Sequence, residues 1–257
     1  METPFVRTHD LAIGYRSGTP LSEHIDLELF AGRTVSLIGS NGIGKSTLLR
    51  TLCGDLRPLK GDIEVMGRPL RKVRRRELAT LVSIVDTATG MAGGLTVRQA
   101  VELGRQPYTG MLGLLATDDK KICRNAMEAT GITHKADRFI ASLSDGEKQK
   151  ALIARALAQD TPVIYLDEPF SFLDPSARIE IMDMLCRISR ERHKAVLLTC
   201  HDVALSLRMA DRIWLFSRDG TVYDKTPGAA ISSGLLDTLY PSEKVKFSPK
   251  IGDFIID

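Results

Sequence analysis

Residues 39–46 combine the residue types that bind phosphate groups in proteins. The segment matches the full pattern G-x-x-x-x-G-K-[ST] and reads Gly39, Ser40, Asn41, Gly42, Ile43, Gly44, Lys45 and Ser46. Its glycines allow the backbone N–H groups to turn inward, and a helix that begins here adds the positive end of its dipole. Lys45 is then expected to reach the β- and γ-phosphates, and the Ser46 hydroxyl is expected to ligate Mg²⁺. We therefore predict that the chain binds a nucleoside triphosphate, with Thr47 as a further contact.

Two adjacent carboxylates are the second candidate for chemistry. Asp167 and Glu168 directly follow the apolar run at 163–166, and the end of a parallel strand is where such a sheet presents its ligand site. Asp167 is placed to support Mg²⁺ through its water shell, and Glu168 is placed to polarise an attacking water. A helix N-cap is the alternative for an isolated Asp-Glu pair. Combined with the phosphate loop, the pair indicates hydrolysis of the bound nucleotide.

The segment 143–149 is the third candidate. Ser144 fits a helix N-cap with Glu147 three residues later, ahead of a helical run at 151–158. The hydroxyl of Ser144 and the N–H of Gly146 would also form an anion site at the N-terminus of that helix. The two interpretations use the same geometry, so we retain both.

The elements that must position these residues alternate between strands and helices. A buried-strand pattern at 34–38 directly precedes the phosphate loop, and a helix begins after it at 47–52. Helical spacing dominates 96–158. Further strand patterns lie at 81–85, 163–166, 195–199 and 212–216. This order predicts an α/β fold with a mainly parallel sheet, preceded by short antiparallel strands at 11–15 and 25–29 and interrupted by a helical insert.

Bulk properties are those of an ordinary globular chain. The 257 residues are 43% hydrophobic and 26% charged, which argues against disorder. The net charge of +3 is too small to predict nucleic-acid binding, and we interpret the basic run at 68–76 as a solvated helix face rather than a nucleic-acid or lipid patch. The four cysteines lack metal-site spacing and are expected to be buried and reduced. No apolar stretch approaches the ~18–20 residues that span a bilayer, and the N-terminus lacks a signal peptide's apolar core.

Together, these motifs resemble those of the ATP-binding-cassette ATPases over residues 5–230. Six landmarks occur in the family's order: Tyr15 as the aromatic that stacks on adenine, 39–46 as Walker A, 143–149 as the signature, 163–168 as Walker B, 171–174 as the D-loop and His201 as the switch histidine. The resemblance implies that Glu168 and His201 are catalytic. It also implies one ATPase domain with three parts: a nucleotide-binding core with a β subdomain (1–86 and 155–230), a helical signature subdomain (87–154) and a C-terminal extension (231–257).

The resemblance also implies partners. In that family the signature of one subunit contacts the γ-phosphate held by the Walker A loop of another, so a head-to-tail dimer, with a second copy or a second ATPase, closes on two ATP molecules. Residues 95–108 open with Leu-Thr-Val and end with Gly-Arg-Gln-Pro-Tyr, a string similar to importers of iron–siderophore, haem and cobalamin complexes. That similarity implies a membrane permease contacted at this surface and a substrate-binding protein beyond it. The chain is then expected at the cytoplasmic face of the membrane, as a peripheral subunit.

Two sites depart from the family's pattern. Asp86 follows the strand at 81–85 where the family has glutamine, and an ionised aspartate accepts hydrogen bonds but donates none. It can still accept from metal-bound water, so we keep it as a candidate metal residue beside Ser46 and Asp167. Asp145 and Glu147 stand where glycine and glutamine are commoner, although a helix N-terminus favours each carboxylate by ~0.3–1 kcal/mol. We expect hydrolysis to be retained but tuned.

Two other functions stay open at this point. One is a soluble ATPase of the same family that acts in macromolecular assembly or repair without a permease. The other is a nucleotide-binding regulatory subunit without turnover, which Asp86 and Asp145 would favour. Beyond residue 230, a helical pattern at 231–239 and an apolar run at 254–256 predict a helix and a closing strand, and neither indicates a ligand.

Overall fold

A computed structural model describes residues 2–15, 19–86, 94–110, 113–239 and 244–256. After Asp86 the sequence is rich in Thr, Ala and Gly, which predicts a loop, and this segment lies almost wholly outside the described residues. Within them, the strands are β1 (Val6–Ile13), β2 (Ser22–Ile25), β3 (Glu28–Leu29), β4 (Thr34–Gly39), β5 (Lys60–Val65), β6 (Arg68–Pro69), β7 (Val82–Asp86), β8 (Val163–Asp167), β9 (Ala195–Cys200), β10 (Arg212–Phe216), β11 (Val222–Lys225), β12 (Val245–Ser248) and β13 (Asp253–Ile256).

The central sheet has the strand order β11-β10-β4-β9-β8-β7. All of its pairings are parallel except that of β10 with β11. Strands β8, β9 and β10 are apolar runs buried along almost their whole length, as parallel strands covered on both faces must be. The predicted mainly parallel sheet is therefore confirmed. Because parallel strands end at one edge, the segments that follow β4, β8 and β9 meet there.

A smaller antiparallel sheet contains the short strands predicted ahead of the phosphate loop, together with β5 and β6, which follow that loop. Its strand order is β2-β1-β5-β6, with β3 also paired to β1. Leu11, Leu29 and Val65 from this sheet are buried in one cluster with Leu37 of β4 and Trp214 of β10. This shared core fixes the small sheet against one face of the central sheet.

The helices occur in the segments that connect the strands. In the described residues they are α1 (Lys45–Leu52), α2 (Arg75–Leu78), α3 (Val97–Glu102), α4 (Thr117–Ala129), α5 (Asp145–Ala158), α6 (Pro175–Glu191), α7 (Val203–Met209) and α8 (Pro227–Ser232). Single 3₁₀ turns occur at Leu70–Lys72, Leu103–Arg105, Thr133–Lys135, Ile140–Ser142 and Leu235–Leu239.

The predicted helical insert between β7 and β8 is confirmed, with α3, α4 and α5 packed against one another. Two of these helices begin with a reciprocal cap. The Ser144 hydroxyl accepts from the Glu147 N–H at 3.3 Å, and the Glu147 carboxylate accepts from the Ser144 N–H at 3.0 Å. Thr96 and Gln99 form the same arrangement at the start of α3. Each cap satisfies backbone donors that the first turn of a helix leaves without partners.

The four cysteines are buried and carry no disulfide, as expected. Burial raises the pKa of the Cys53 thiol to about 12 and that of Cys123 to about 11, so neither is a thiolate at neutral pH. No helix in the described part of the chain is long and apolar enough to cross a bilayer.

Two predictions were wrong in detail. The basic run is not a single helix face: β6, the turn Leu70–Lys72 and the short α2 divide it, although its side chains are mostly solvated. The C-terminal helix is likewise divided, because Gly234 has a φ of +71° between α8 and the turn Leu235–Leu239. The strand predicted at 254–256 is present as β13, which pairs with β12 in a hairpin.

Candidate nucleotide site

The phosphate loop joins β4 to α1 at the carboxyl edge of the central sheet. Gly42 and Gly44 have φ angles of +75° and +120°, and a Cβ on Gly44 would lie 3.3 Å from the ring of Phe216. The backbone conformation therefore requires glycine at position 44, and the space beside Phe216 is tight for any side chain. The loop has the strand–turn–helix setting that a phosphate-binding motif needs.

The Lys45 side chain is buried, and its ammonium group contacts the phosphate loop itself. Its Nζ donates to the carbonyl oxygens of Gly39 and Ser40 at 2.8 and 2.9 Å. Burial lowers the pKa of this ammonium, against the opposing effect of the Glu168 and Asp167 carboxylates. A desolvated cation that is hydrogen-bonded to neutral carbonyl groups gains from an anionic ligand, because attraction strengthens where water is excluded.

Asp167 and its neighbours form a chain of hydrogen bonds across three strand ends. The Asp167 carboxylate accepts from the Ser46 hydroxyl at 3.2 Å and from the Thr199 hydroxyl at 2.8 Å. Thr199 in turn accepts from the Glu168 N–H at 2.7 Å. Thr199 was not among the predicted site residues; its signal in the sequence is a threonine two residues before His201, at the end of a buried strand.

Both carboxylate oxygens of Glu168 have hydrogen-bonding partners. One lies 2.8 Å from Nε2 of His201, and the other accepts from the Ser171 hydroxyl at 3.1 Å. The hydrogen bond to His201 is the main reason that the pKa of Glu168 lies below its ordinary value. Glu168 also has a φ of +48°, a left-handed conformation uncommon outside glycine. The turn after β8 thus aims this side chain toward the phosphate loop at some conformational cost.

His201 is expected to set the pH below which kcat/KM for ATP falls. Replacing His201 with alanine removes the hydrogen bond that lowers the pKa of Glu168, so that pKa rises and the carboxylate protonates at higher pH. Because a general base must be ionised to accept a proton, the acid limb of the kcat/KM–pH profile moves to higher pH. His201→Gln, which keeps a donor, is the control and is expected to move the limb less. An acid limb that stays in place in His201→Ala would contradict this assignment.

Most of the predicted residues of the first half of the site line one cleft. It is lined by Tyr15, Asn41, Gly42, Gly44, Lys45, Ser46, Thr47, Glu168 and His201, with Leu21. The Tyr15 ring is exposed, and its hydroxyl lies 3.3 Å from that of Thr47. An exposed aromatic at the mouth of a phosphate-binding cleft offers a face on which a base can stack.

Asp86 lies at the end of β7, where its Cα is the register partner of Asp167 on β8. Both side chains therefore stand at the same edge of the sheet, one strand apart. This is the strand end at which the sequence placed Asp86, and Asp167 on the neighbouring strand accepts a hydrogen bond from the Ser46 hydroxyl at 3.2 Å.

Ser144 and Gly146 lie in a different cleft. Their cleft is lined by Asp145, Phe172 and Asp174 among others and includes no residue of the phosphate loop. The two carboxylates that depart from the family's pattern are occupied, since Asp145 pairs with Lys148 at 3.0 Å and Glu147 with Lys135 at 3.1 Å. Within one chain, the structure assembles the phosphate loop with Asp167, Glu168 and His201 but keeps the predicted signature residues apart from them.

Comparison with known proteins decides the family. The family model described as "ABC transporter" matches residues 22–171, more than half of the chain. The chain belongs to the ABC transporter family. Among its relatives, the achromobactin transport ATP-binding protein of Dickeya dadantii is 34% identical over 91% of this chain and 87% of its own length. The hemin import ATP-binding protein of Bordetella avium is 34% identical over 93% of this chain and 92% of its own length.

Solved structures agree with this assignment. A dimeric ATP-binding cassette in a post-hydrolysis state, bound to ADP and phosphate, superimposes with a TM-score of 0.73 at 25% identity, over 86% of this chain and 98% of that one. With the family established, the chain is an ATP-binding subunit that hydrolyses ATP, as its phosphate loop and Asp-Glu pair indicated.

In this ABC ATPase, the Gly-Arg string at 104–105 packs inward. A Cβ on Gly104 would lie 2.3 Å from the carbonyl oxygen of Arg155 in α5, so only glycine permits this approach. Arg105 is 6% exposed and donates to the Ala158 carbonyl and the Asp119 carboxylate, each at 2.8 Å. Its guanidinium also lies 4.0 Å from the centre of the Tyr108 ring. Part of the string that resembles importers is therefore explained by helix packing.

Arg105→Met is expected to lower the free energy of unfolding by about 3–5 kcal/mol, because it leaves the shielded Asp119 carboxylate without its cation. Urea unfolding followed by circular dichroism measures the change. The matched control is Arg98→Met, which breaks the 3.0 Å pair with Asp137 at a site where those side chains are 47% and 84% exposed; exposed pairs contribute only about 0–1 kcal/mol. Equal losses in the two variants would contradict the structural role of Arg105.

Proposed function

We propose that this ABC ATPase is the energy-supplying subunit of an importer for an iron–siderophore complex, haem or cobalamin. The observation that carries the proposal is that relatives matched over nine-tenths of the chain are named for achromobactin transport and hemin import. The Leu-Thr-Val and Gly-Arg-Gln-Pro-Tyr segments at 95–108 support the same class.

The proposed working unit contains two ATPase chains arranged head to tail. The phosphate loop and the pair Ser144 and Gly146 line separate clefts of one chain, which supports an arrangement in which a second chain supplies Ser144 and Gly146 to the phosphates. The family relative bound to ADP and phosphate is dimeric, which supports a second copy as the partner. At the N-terminus of α5, the Gly146 N–H and the Ser144 hydroxyl would then face the γ-phosphate.

Within each chain's half of the site, the role of each residue follows from its chemistry. Lys45 exchanges its carbonyl partners for β- and γ-phosphate oxygens, and the ring of Tyr15 stacks on adenine. Glu168 accepts a proton from the attacking water, while His201 and Ser171 hold its two oxygens in place. Thr199 fixes the turn after β8 by bonding both the Asp167 carboxylate and the Glu168 N–H.

The edge at Ser46 and Asp167 suits Mg²⁺. Its donors are a hydroxyl and a carboxylate 3.2 Å apart, which are the hard oxygen ligands that this ion prefers. Ser46 would ligate the ion, with Asp167 and Asp86 accepting hydrogen bonds from its waters. When bound, Mg²⁺ would neutralise charge on the β- and γ-phosphates.

Asp86→Gln is expected to tighten ATP binding measured without metal. The substitution removes one negative charge beside the phosphates, and about 1 kcal/mol of relieved repulsion corresponds to roughly fivefold in Kd. Displacement of a fluorescent ATP analogue in EDTA and in Mg²⁺ measures both affinities, with Asp137→Asn as a distant control. The gain is expected to be smaller in Mg²⁺, and an unchanged affinity in EDTA would contradict the placement of Asp86 beside the phosphates.

The proposed membrane partner is a polytopic permease, and a substrate-binding protein completes the importer. The permease would seat on the groove lined by Leu95, Gln99, Leu103 and Gln106. The chain would then be a peripheral subunit on the cytoplasmic face of the membrane.

Co-expression with the permease encoded beside it tests this proposal. A detergent-stable complex whose ATP turnover rises with the loaded binding protein, together with a growth defect on one iron or corrin source after deletion, is the expected result. Recovery only in soluble complexes would instead favour the ATPase of macromolecular assembly or repair. Absence of turnover in the intact complex would favour the regulatory subunit.

A further inference from the structure

Glu102 places a carboxylate in the groove that the proposed permease would cover. The other described residues that line this groove are apolar or uncharged: Leu95, Gln99, Leu103, Gln106, Thr109, Gly113 and Leu115. Glu102 is only partly exposed, and within the described residues its carboxylate forms no hydrogen bond or ion pair. The groove therefore contains one negative charge for which the described part of the chain supplies no partner.

The local structure does not favour a carboxylate at this position. Glu102 is the last residue of α3, the end at which the helix dipole favours a cation and disfavours an anion. The arginine four residues earlier, Arg98, pairs with Asp137 at 3.0 Å. The arginine three residues later, Arg105, pairs with Asp119 at 2.8 Å, so both nearby cations of this segment are engaged elsewhere.

A partner that covers the groove would change the surroundings of Glu102. Leu103 is 38% exposed, and a protein that packs on this leucine also displaces water from the carboxylate in the same groove. A charge that loses its water is destabilising unless a cation and hydrogen-bond donors replace that water. The apolar contacts of the groove can therefore contribute fully only if the partner brings a positive group to Glu102.

We propose that the permease segment seated in this groove presents a lysine or arginine side chain that pairs with Glu102. This inference rests on the proposed function, because it takes the permease as the occupant. Cytoplasmic loops of membrane proteins carry an excess of lysine and arginine, so a permease has suitable side chains on the side that faces an ATPase subunit. The flanking side chains of that segment would be apolar, since they pack against Leu95, Leu103 and Leu115.

The pair would also determine which permease the ATPase accepts. Apolar contacts tolerate many side chains of suitable size. A permease with an uncharged or acidic group opposite Glu102 would instead leave the carboxylate dehydrated and unpaired, and such mismatches exclude wrong partners. The charge at position 102 is therefore expected to contribute specificity as well as affinity.

Binding of the full chain to the permease encoded beside it, solubilised in detergent and immobilised, tests this pairing. Biolayer interferometry without nucleotide gives the Kd of the parent, of Glu102→Gln and of Glu102→Lys. We expect the Kd to rise roughly 10-fold in Glu102→Gln, which keeps the shape but not the charge, and roughly 100-fold or more in Glu102→Lys. Glu128→Lys is the matched control and is expected to keep the parent's Kd, because Glu128 is an exposed residue of α4 outside the groove.

Thermal unfolding of the free chains separates a lost contact from a damaged fold. Because a helix C-terminus favours a cation, the Tm of Glu102→Lys is expected to equal or slightly exceed that of the parent. A charge swap then identifies the partner residue: each lysine and arginine of the permease's cytoplasmic loops is replaced by glutamate in turn and tested against Glu102→Lys. One swap is expected to restore the Kd to within a few-fold of the parent value.

The outcomes separate the pairing from the proposed function. Glu102 variants that bind the permease as tightly as the parent, or a loss of binding that no permease swap restores, would overturn the pairing and leave the permease as a partner. A parent chain that does not bind the permease would overturn the proposed function and the pairing with it.

Discussion

Glu168→Gln is expected to reduce ATP turnover by roughly 10²–10⁴-fold, the contribution typical of a general base. Glutamine keeps the size of the side chain and its contacts with His201 and Ser171, but it cannot accept a proton. Because the Lys45 loop is untouched, ATP affinity is expected to remain within a few-fold of that of the native chain. The substitution should therefore separate chemistry from binding, and single-turnover measurements with radiolabelled ATP give the rate.

The matched control is Glu128→Gln. Glu128 is an exposed residue of α4 that lines neither cleft, and its replacement should leave turnover nearly unchanged. If Glu168→Gln retained the native rate, Glu168 would not be the base. If the native chain itself showed no turnover, the chain would be a nucleotide-binding regulatory subunit rather than an enzyme.

Lys45→Met is expected to lower kcat/KM for ATP by roughly 10²–10³-fold, as the loss of a preorganised charged donor does in other active sites. The same change is expected to leave the free energy of unfolding unchanged or slightly higher. The reason is that burial opposes the charge of Lys45, as its lowered pKa indicates, while methionine fills the same space without desolvation cost.

Steady-state ATPase kinetics with Mg²⁺, paired with urea unfolding, measures both quantities. Lys120→Met is the control, since Lys120 is an exposed residue of α4, outside both clefts. A stability loss in Lys45→Met as large as its loss of transition-state stabilisation would show that Lys45 serves the fold rather than the ligand.

Several features of this fold were predictable because local chemistry dictates them. Glycine at position 44, the strand–loop–helix order around Lys45 and the Ser144–Glu147 cap all follow from rules that act within a few residues. The apolar runs of β8 and β9 likewise predict a parallel sheet, and that sheet brings Glu168 and His201 together although 33 residues separate them.

Other features depend on contacts that no local pattern encodes. Thr199 enters the site because β9 lies beside β8, which places its hydroxyl between Asp167 and Glu168. Arg105 was grouped with a permease-contact string, whereas its guanidinium is buried against α4 and α5. Phe172 has a left-handed backbone conformation. Its neighbours hold it there, because Ser171 contacts Glu168 and Leu173 is buried in the core. The basic run and the C-terminal segment were wrongly assigned single helices because helical periodicity does not reveal where short turns divide a segment.

In the proposed dimer, each hydrolytic site is completed by the second chain, because one chain holds only half of it. ATP turnover per chain tests this composite site when it is measured across chain concentrations that span the monomer–dimer transition seen by sedimentation with ATP. We predict that turnover per chain rises with concentration and reaches a plateau when dimerisation is complete. Constant turnover per chain at concentrations where the protein remains monomeric with ATP would contradict the composite site.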